Sequence, residues 1–173
     1  MFLGTGQATP RTKKYVTENV RAKMDSNQII KLRIATANDA EFAFNTTKET
    51  MRGYAVATWG EWHEKDSHEC AIRDTQSGKI EIIEVNEKPV GVFLVNRNTN
   101  EIEIEQIYIL PEYQNKGIGS KLIVALRNEV QNLTIPLKLH VLVVNPAYKL
   151  YERLGFNTVK ETNERRYMEF RPK

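Results

Sequence analysis

The sequence contains a single cysteine, Cys70, and no long hydrophobic run. One cysteine excludes an internal disulfide and a cysteine-rich zinc site, and an unpaired thiol is typical of a reducing compartment. No apolar stretch approaches the ~18 residues that a membrane span needs, and residues 1–10 lack the segments of a secretory signal. We therefore expect a cytoplasmic protein with no membrane partner, and its 173 residues suit one domain.

The net charge is small, and it is unevenly distributed along the chain. The chain has a net charge of +3, and residues 1–30 contain five basic residues against two acidic ones. The rest of the chain is therefore neutral, which argues against a broad nucleic-acid footprint. We expect residues 1–29 to form a basic, flexible arm and residues 30–173 to form the folded domain. The alternative is an arm that contacts an anionic partner, as in a nucleic-acid or ribosome-associated factor.

Apolar periodicity, helix caps and turn residues predict the element order βααβββαβαββ. Strands are predicted at 30–34, 80–85, 90–95, 101–110, 137–144, 156–160 and 166–170, and helices at 39–58, 61–73, 117–131 and 146–154. This order predicts a single α+β domain with a central, twisted, mixed and mostly antiparallel sheet that is flanked by helices.

The sharpest local signal is the segment Gln114-Asn115-Lys116-Gly117-Ile118-Gly119, which follows a predicted strand and opens a predicted helix. Glycines let a ligand approach the backbone, and the free N–H groups of a helix start favour an anion such as a pyrophosphate. The segment is not a Walker A loop, and Leu122 stands where a dinucleotide fingerprint needs its third glycine. The alternative is an ordinary strand-turn-helix corner.

Two segments resemble the GNAT N-acetyltransferase superfamily. The first is Glu103–Leu126, EIEQIYILPEYQNKGIGSKLIVAL, and the second is Asn145–Phe156, NPAYKLYERLGF. They match the family's strand, Pro-Glu-Tyr, Gln-x-x-Gly-x-Gly and helix segment, and then its Asn, Ala-x-x-Leu-Tyr and Gly-Phe segment. The predicted element order also agrees with the family fold from Ile30 to Phe170. The resemblance implies an acyltransferase that transfers the acetyl group of acetyl-CoA to an amine.

The resemblance also implies which residues bind acetyl-CoA. The amides of the loop would bind the pyrophosphate, strand backbone would pair with the pantetheine arm, and the amide near Ile107 would polarise the thioester carbonyl. Asn145 would bind the pantetheine, although only one residue separates it from Ala147 where many relatives have two. The implied cofactor residues are Ile107, Tyr108, Ile109, Gln114, Asn115, Lys116, Gly117, Ile118, Gly119, Ser120, Asn145 and Tyr148.

Three residues are candidates for proton transfer. Tyr151 matches the family tyrosine near the CoA sulfur, and a phenol can act as general acid for a thiolate; the alternative is a packed tyrosine. Glu103 and Glu105 are two apart on one strand and so share a face, with Ile102, Ile104 and Tyr108 on the other. We expect Glu105 to be the base, directly or through water, and Glu103 to bind the acceptor; the alternative is a solvated strand face.

Weaker signals concern the acceptor and metals. Aromatic and acidic residues at Trp59, Glu61, Trp62 and Glu64 suit a cationic amine, or simply a packed core. The spacing of His63 and His68 is poor for a metal site, so no metal is expected, and His140 and Cys70 are interpreted as structural. The predicted partner is a small-molecule amine or a peptide amine, and a homodimer is left open. The competing hypothesis is a non-catalytic acyl-CoA-binding module.

Overall fold

A computed structural model describes residues 23–24 and 28–173 of the chain. The predicted arm, residues 1–29, therefore lies almost entirely outside the described residues. None of the helices that are described is long and apolar enough to cross a membrane.

The described chain contains eight strands and four α-helices. The strands are β1 (Lys23–Met24), β2 (Gln28–Ile34), β3 (Ile80–Val85), β4 (Lys88–Arg97), β5 (Ile102–Ile109), β6 (Leu137–Leu142), β7 (Asn157–Glu161) and β8 (Arg165–Phe170). The helices are α1 (Ala40–Trp59), α2 (Glu64–Gln76), α3 (Ile118–Leu133) and α4 (Tyr148–Arg153). Apart from the two-residue β1, this is the predicted order, so the predicted α+β fold is confirmed.

The predicted boundaries differ from the observed ones at particular signals. The second helix was expected over 61–73, but α2 spans Glu64–Gln76. Helix α1 ends at Gly60, which has φ +83° and whose N–H bonds the Val56 carbonyl. A left-handed glycine is a common helix stop, and the chain needs three further residues before α2 begins. Strand β6 stops at Leu142 rather than Val144, because a turn closes there with the Asn145 N–H on the Leu142 carbonyl.

Helix α1 is positioned by a polar cluster at its start. The Asp39 carboxylate accepts from the Thr36 N–H at 2.7 Å and from both Nη atoms of Arg33, at 2.8 and 2.9 Å. The hydrogen bonds from Arg33 hold the pKa of Asp39 well below its usual range. A lowered carboxyl pKa stabilises the fold above the ordinary carboxyl pKa, and that stabilisation is lost as the pH falls.

The sheet has the strand order β1-β2-β3-β4-β5-β6-β8-β7. Only β5 and β6 are parallel, and they pair at just three positions, from Ile102 with Leu137 to Ile104 with Leu139. Beyond Ile104 and Leu139 no pairing joins the two strands, so the sheet opens there into a fork. The other strand pairs of both halves are antiparallel.

Two hydrophobic clusters cover the two faces of the sheet. The larger cluster packs α3 and α4 on one face, and its fully buried side chains include Ile118, Leu122, Ile123, Leu126, Leu137 and Met168. The smaller cluster packs α1 and α2 on the other face, and its members include Ala43, Phe44, Ala71, Ile80, Val92 and Leu94. The fork therefore lies between two helical layers, which makes it the natural place for a cleft.

Candidate active site

A cleft of about 830 Å³ opens at the fork between β5 and β6. Its lining combines the end of β5, the start of α3, residues of α1 and α4, and β6 with the first residue of β8. Twelve of the predicted site residues line it: Glu105, Ile107, Tyr108, Ile109, Gln114, Asn115, Gly117, Ile118, Gly119, Ser120, Asn145 and Tyr151.

One wall of the cleft, here called the loop side, is formed by the segment 107–120 without the side chains of Tyr108 and Lys116. Asn115 and Gly117 have φ values of +59° and +77°, so the chain turns through left-handed conformations just before α3. The first intrahelical bond joins the Lys121 N–H to the Gly117 carbonyl at 3.0 Å. The N–H groups of residues 118–120 therefore have no intrahelical acceptor. The first turn contains no acid and no capping side chain, so its partial positive charge is available to an anionic ligand.

The backbone of β5 also contributes to the loop side. In the antiparallel ladder with β4, the Leu110 N–H bonds the Val90 carbonyl. Because the ladder alternates, the backbone groups of Ile109 and Ile107 point away from β4, toward the fork, and those of Tyr108 point toward β4. The Ile109 carbonyl accepts the Gln114 side-chain amide at 2.8 Å. Ile107 and Ile109 can therefore offer backbone groups to an extended ligand, as predicted. The backbone of Tyr108 cannot, and this residue contributes its side chain to the cleft instead.

A β-bulge re-aims the residues of β5 at the fork. Val95 of β4 pairs with Ile104 and Leu94 pairs with Gln106, so Glu105 is the extra residue. The bulge shifts the side-chain alternation by one, and Tyr108 therefore lies on the α1 face together with Glu103. The prediction that Tyr108 faces away from the two glutamates is wrong, because it assumed an uninterrupted strand.

Glu105 and Glu103 have different surroundings. Glu105 lines the cleft, is exposed and accepts a hydrogen bond from the Asn96 amide. Glu103 lies beyond the cleft lining, with its carboxylate 3.7 Å from His140 Nδ1. Of the two carboxylates, only Glu105 therefore belongs to the cleft lining.

Tyr151 of α4 is the buried hydroxyl of the cleft. Tyr151 is 8% exposed, and its ring packs edge-on against the ring of Phe156, with the two centroids 6.0 Å apart. Burial, together with a smaller contribution from the nearby Tyr108, raises the pKa of Tyr151 to about 12. Burial likewise raises the pKa of Tyr108 to about 12. Both hydroxyls therefore remain protonated, and able to donate, throughout the physiological pH range.

The opposite wall, here called the α1 side, consists of Trp59, Glu105, Tyr108, His140 and Arg165. Residues of α1, namely Thr50, Met51 and Tyr54, complete it. The Arg165 guanidinium lies 5.9 Å from the centre of the Trp59 ring, and its Nη1 is 3.3 Å from His140 Nε2. Sequence reasoning missed His140 and Arg165. The signal that could have found them is their polarity on strands whose other face is apolar.

Several predicted residues lie outside the cleft lining. Lys116 sits over the Tyr113 ring, with Nζ 5.1 Å from its centre, and the Tyr148 ring packs under Arg166 at 4.0 Å. Glu64 pairs with Lys48 at 2.7 Å and Glu61 lies 3.2 Å from His63, so neither acid reaches the cleft.

The remaining polar candidates have local partners. His68 bonds Glu41 at 2.5 Å across α1 and α2. Cys70 is partly buried between Asp74 and Arg73, and burial raises the pKa of its thiol. Within residues 28–173, no three His, Cys, Asp or Glu side chains converge as a metal site requires.

Comparisons with known proteins agree with the fold and with the family resemblance. The family model described as the acetyltransferase (GNAT) domain matches residues 47–172. PaiA N-acetyltransferase from Thermoplasma acidophilum, solved in complex with coenzyme A, has a TM-score of 0.64 and 18% identity over 82% of this chain and 98% of its own. The ribosomal-protein-S18-alanine N-acetyltransferase from Escherichia coli has a TM-score of 0.60 and 20% identity over 83% and 94%. A comparison with curated protein sequences found no significant match.

Proposed function

The chain belongs to the GNAT acetyltransferase family, whose members use acetyl-CoA, and we propose that it acetylates a primary amine by direct attack in a ternary complex. The acceptor is a small molecule or a peptide. The observation that carries the proposal is the fork, where a helix start without an acid or a capping side chain and the Glu105 carboxylate line one cleft.

The loop side fits the donor. The three N–H groups of residues 118–120 suit a pyrophosphate, because they already point outward and have no intrahelical acceptor. The backbone of Ile107 points toward the fork and suits the amides of an extended pantetheine arm, which would add to β5 as a strand does. Asn145 lines the same cleft. When bound, acetyl-CoA supplies an acyl group on a thiol leaving group.

The Ile107 N–H is the group that we propose stabilises the carbonyl oxygen of the thioester. An N–H aimed at a carbonyl oxygen stabilises the negative charge that develops there during acyl transfer. Because the alternation of the ladder turns this N–H away from β4, no strand partner competes for it.

Glu105 is the proposed base. An amine arrives largely as an ammonium ion and must lose a proton before its nitrogen can attack. The Glu105 carboxylate lines the cleft at the bulge and can accept this proton directly or through a water molecule. Glu103 lies outside the cleft lining, next to His140. Its proposed role is to support acceptor binding through that histidine.

Tyr151 is the proposed proton donor to the leaving thiolate. Its burial keeps the phenol neutral, since it raises the pKa to about 12. A neutral hydroxyl next to a developing thiolate can donate a hydrogen bond as the charge forms and then the proton itself. Tyr151 belongs to α4, on the other face of the sheet from α1, so the proposed donor and base approach the fork from opposite faces.

The test is a screen of primary amines with acetyl-CoA, which measures thiol release and identifies the product by mass spectrometry. We expect N-acetylated product and initial-velocity lines that intersect, as direct transfer in a ternary complex requires. Parallel lines, or thiol release that no amine accelerates, would contradict the proposal.

A further inference from the structure

Arg165 is held in the α1 side by four contacts. Its backbone pairs with Leu142 of β6, and its N–H bonds the Thr162 hydroxyl at 3.0 Å. Its guanidinium lies over Trp59, and its Nη1 is 3.3 Å from His140 Nε2. A guanidinium has only donors, so this His140 nitrogen is the acceptor and the Nδ1 proton faces Glu103. The guanidinium is thereby oriented before any ligand arrives.

Arg165 has no carboxylate partner among residues 28–173. The neighbouring Arg166, on the opposite face of the same strand, bonds Glu161 at 2.6 Å. The Glu103 carboxylate lies 3.7 Å from the other nitrogen of His140, Nδ1, rather than on the guanidinium of Arg165. A guanidinium carries five N–H donors in a planar fork that matches an oxyanion. Arg165 thus brings an unneutralised positive charge to the cleft lining.

The α1 side therefore contains one charge of each sign. Glu105 lies on β5 at the bulge, and Arg165 lies beyond β6 on the other arm of the fork. Tyr108 and His140 line the same cleft. The two other cations of the lining, Lys149 and Arg153, belong to α4 on the opposite face of the sheet. A ligand on the α1 side meets a carboxylate at one end and a guanidinium at the other.

We propose that Arg165 binds an oxyanion of the acceptor, a carboxylate or a phosphate, so that the acceptor is a zwitterion whose amine lies at Glu105. This inference rests on the proposed function, because the amine end is defined by acetyl transfer. It refines the expectation of a cationic acceptor, which rested on Glu103 and Glu105 with Glu61 or Glu64 near the rim. Glu105 remains at the amine end, whereas Glu61 and Glu64 are absent from the cleft lining.

The test compares acceptors that differ only in the anion. One series pairs amino acids with their primary amides, and the other pairs phosphoethanolamine with ethanolamine. For each pair, kcat/KM is measured with wild type, Arg165→Gln and the matched control Arg166→Gln, which removes the same charge from the opposite face. For each variant we take the ratio of kcat/KM for the anionic acceptor to kcat/KM for its uncharged partner. A general loss of stability affects both acceptors equally and cancels in this ratio. The two amines differ in basicity, but this difference is the same for every variant and cancels when the ratios of two variants are compared.

With wild type, we expect kcat/KM for the anionic member of one series to exceed that for its uncharged partner. Arg165→Gln should reduce that ratio by about tenfold or more, as loss of a charge-assisted bidentate contact implies, and Arg166→Gln should preserve it. The series with the larger ratio identifies the oxyanion as carboxylate or phosphate. A ratio that Arg165→Gln leaves unchanged in both series would overturn the inference while leaving amine acetylation intact.

Calorimetric binding of the same pairs to the CoA-saturated protein separates the two proposals. Anion-dependent binding that Arg165→Gln abolishes, without any acetylated product, would support the inference and contradict the proposed function. Acetylation without an anion preference would do the reverse. Neither binding nor acetylation of any pair would contradict both.

Discussion

The loop side of the cleft presents mainly backbone groups, whereas the α1 side presents side chains. The loop side uses backbone groups from one contiguous segment, residues 107–120, and its polarity comes from unpaired N–H groups at a helix start. The α1 side uses side chains from α1, β5, β6 and β8, which the sheet brings together from distant parts of the sequence. A backbone site tolerates side-chain variation and suits a constant co-substrate, whereas a side-chain site changes with each substitution and suits a variable acceptor.

The largest effect on the rate is expected at Tyr151, which lines the cleft from α4 and belongs to neither wall. Tyr151→Phe removes only the hydroxyl, so kcat should fall by ~10²–10⁴-fold, the usual range for general acid catalysis, while CoA affinity is preserved. The matched control is Tyr108→Phe, which removes the other cleft hydroxyl and should have the smaller effect on kcat.

The pH dependence offers a second check on Tyr151. Burial raises its pKa to about 12, so the acid remains protonated as the pH rises past the ordinary tyrosine pKa. The wild-type kcat should therefore show no alkaline decline with a midpoint near 10. A kcat that Tyr151→Phe leaves unchanged, where chemistry is rate-limiting, would reduce the residue to a packing role.

A smaller loss is expected at Glu105, on the α1 side. Glu105→Gln preserves the shape but removes the proton acceptor, so the rate at neutral pH should fall by ~10²-fold, the lower end of the general-base range. The loss should shrink as the pH rises, because more of the amine is then already neutral. Glu103→Gln, the same change two residues away, should mainly raise KM for the acceptor.

These pH-rate profiles distinguish a base from a charge that only attracts the amine. A Glu105→Gln profile parallel to that of wild type at every pH would contradict the role of Glu105 as the base. An equal effect of Glu103→Gln on kcat would mean that the two carboxylates do not have separate functions.

The smallest effect is expected from the N-terminal residues, since neither side of the cleft includes a residue before Thr50. Deletion of residues 1–22 should shift the melting temperature by less than about 2 °C, equivalent to under ~1 kcal/mol for a chain of this size. CoA affinity should not change. A large loss of stability, measured by thermal denaturation, would mean that this segment packs on the domain.

The difference between the two sides also explains what could be predicted from the sequence. The loop side was accessible because its glycines, its strand and its helix are adjacent in the chain, so a local pattern carries the whole site. The order of helices and strands along the chain followed from periodicity as well. Gly117 illustrates the point, because its φ of +77° needs a residue that tolerates the left-handed region, and that requirement is visible in the sequence.

The α1 side could not be predicted because it depends on tertiary structure. An extra residue in a strand leaves the apolar alternation readable in two ways, so the bulge at Glu105 and the direction of Tyr108 were missed. His140 is flanked by the buried Leu139 and Val141, and its contact with Arg165 spans 25 residues. Such contacts have no local signature.

The most direct test of the account is the affinity of the loop side for CoA, measured by calorimetry on Gly117→Asp beside Gly117→Asn. The two variants have nearly the same shape, and both asparagine and aspartate tolerate positive φ, so they differ in charge alone. We predict that the asparagine variant binds CoA close to wild type. The aspartate variant should bind at least about tenfold more weakly, which corresponds to ~1.4 kcal/mol. Equal affinities for the two variants would contradict the assignment of the pyrophosphate to the start of α3.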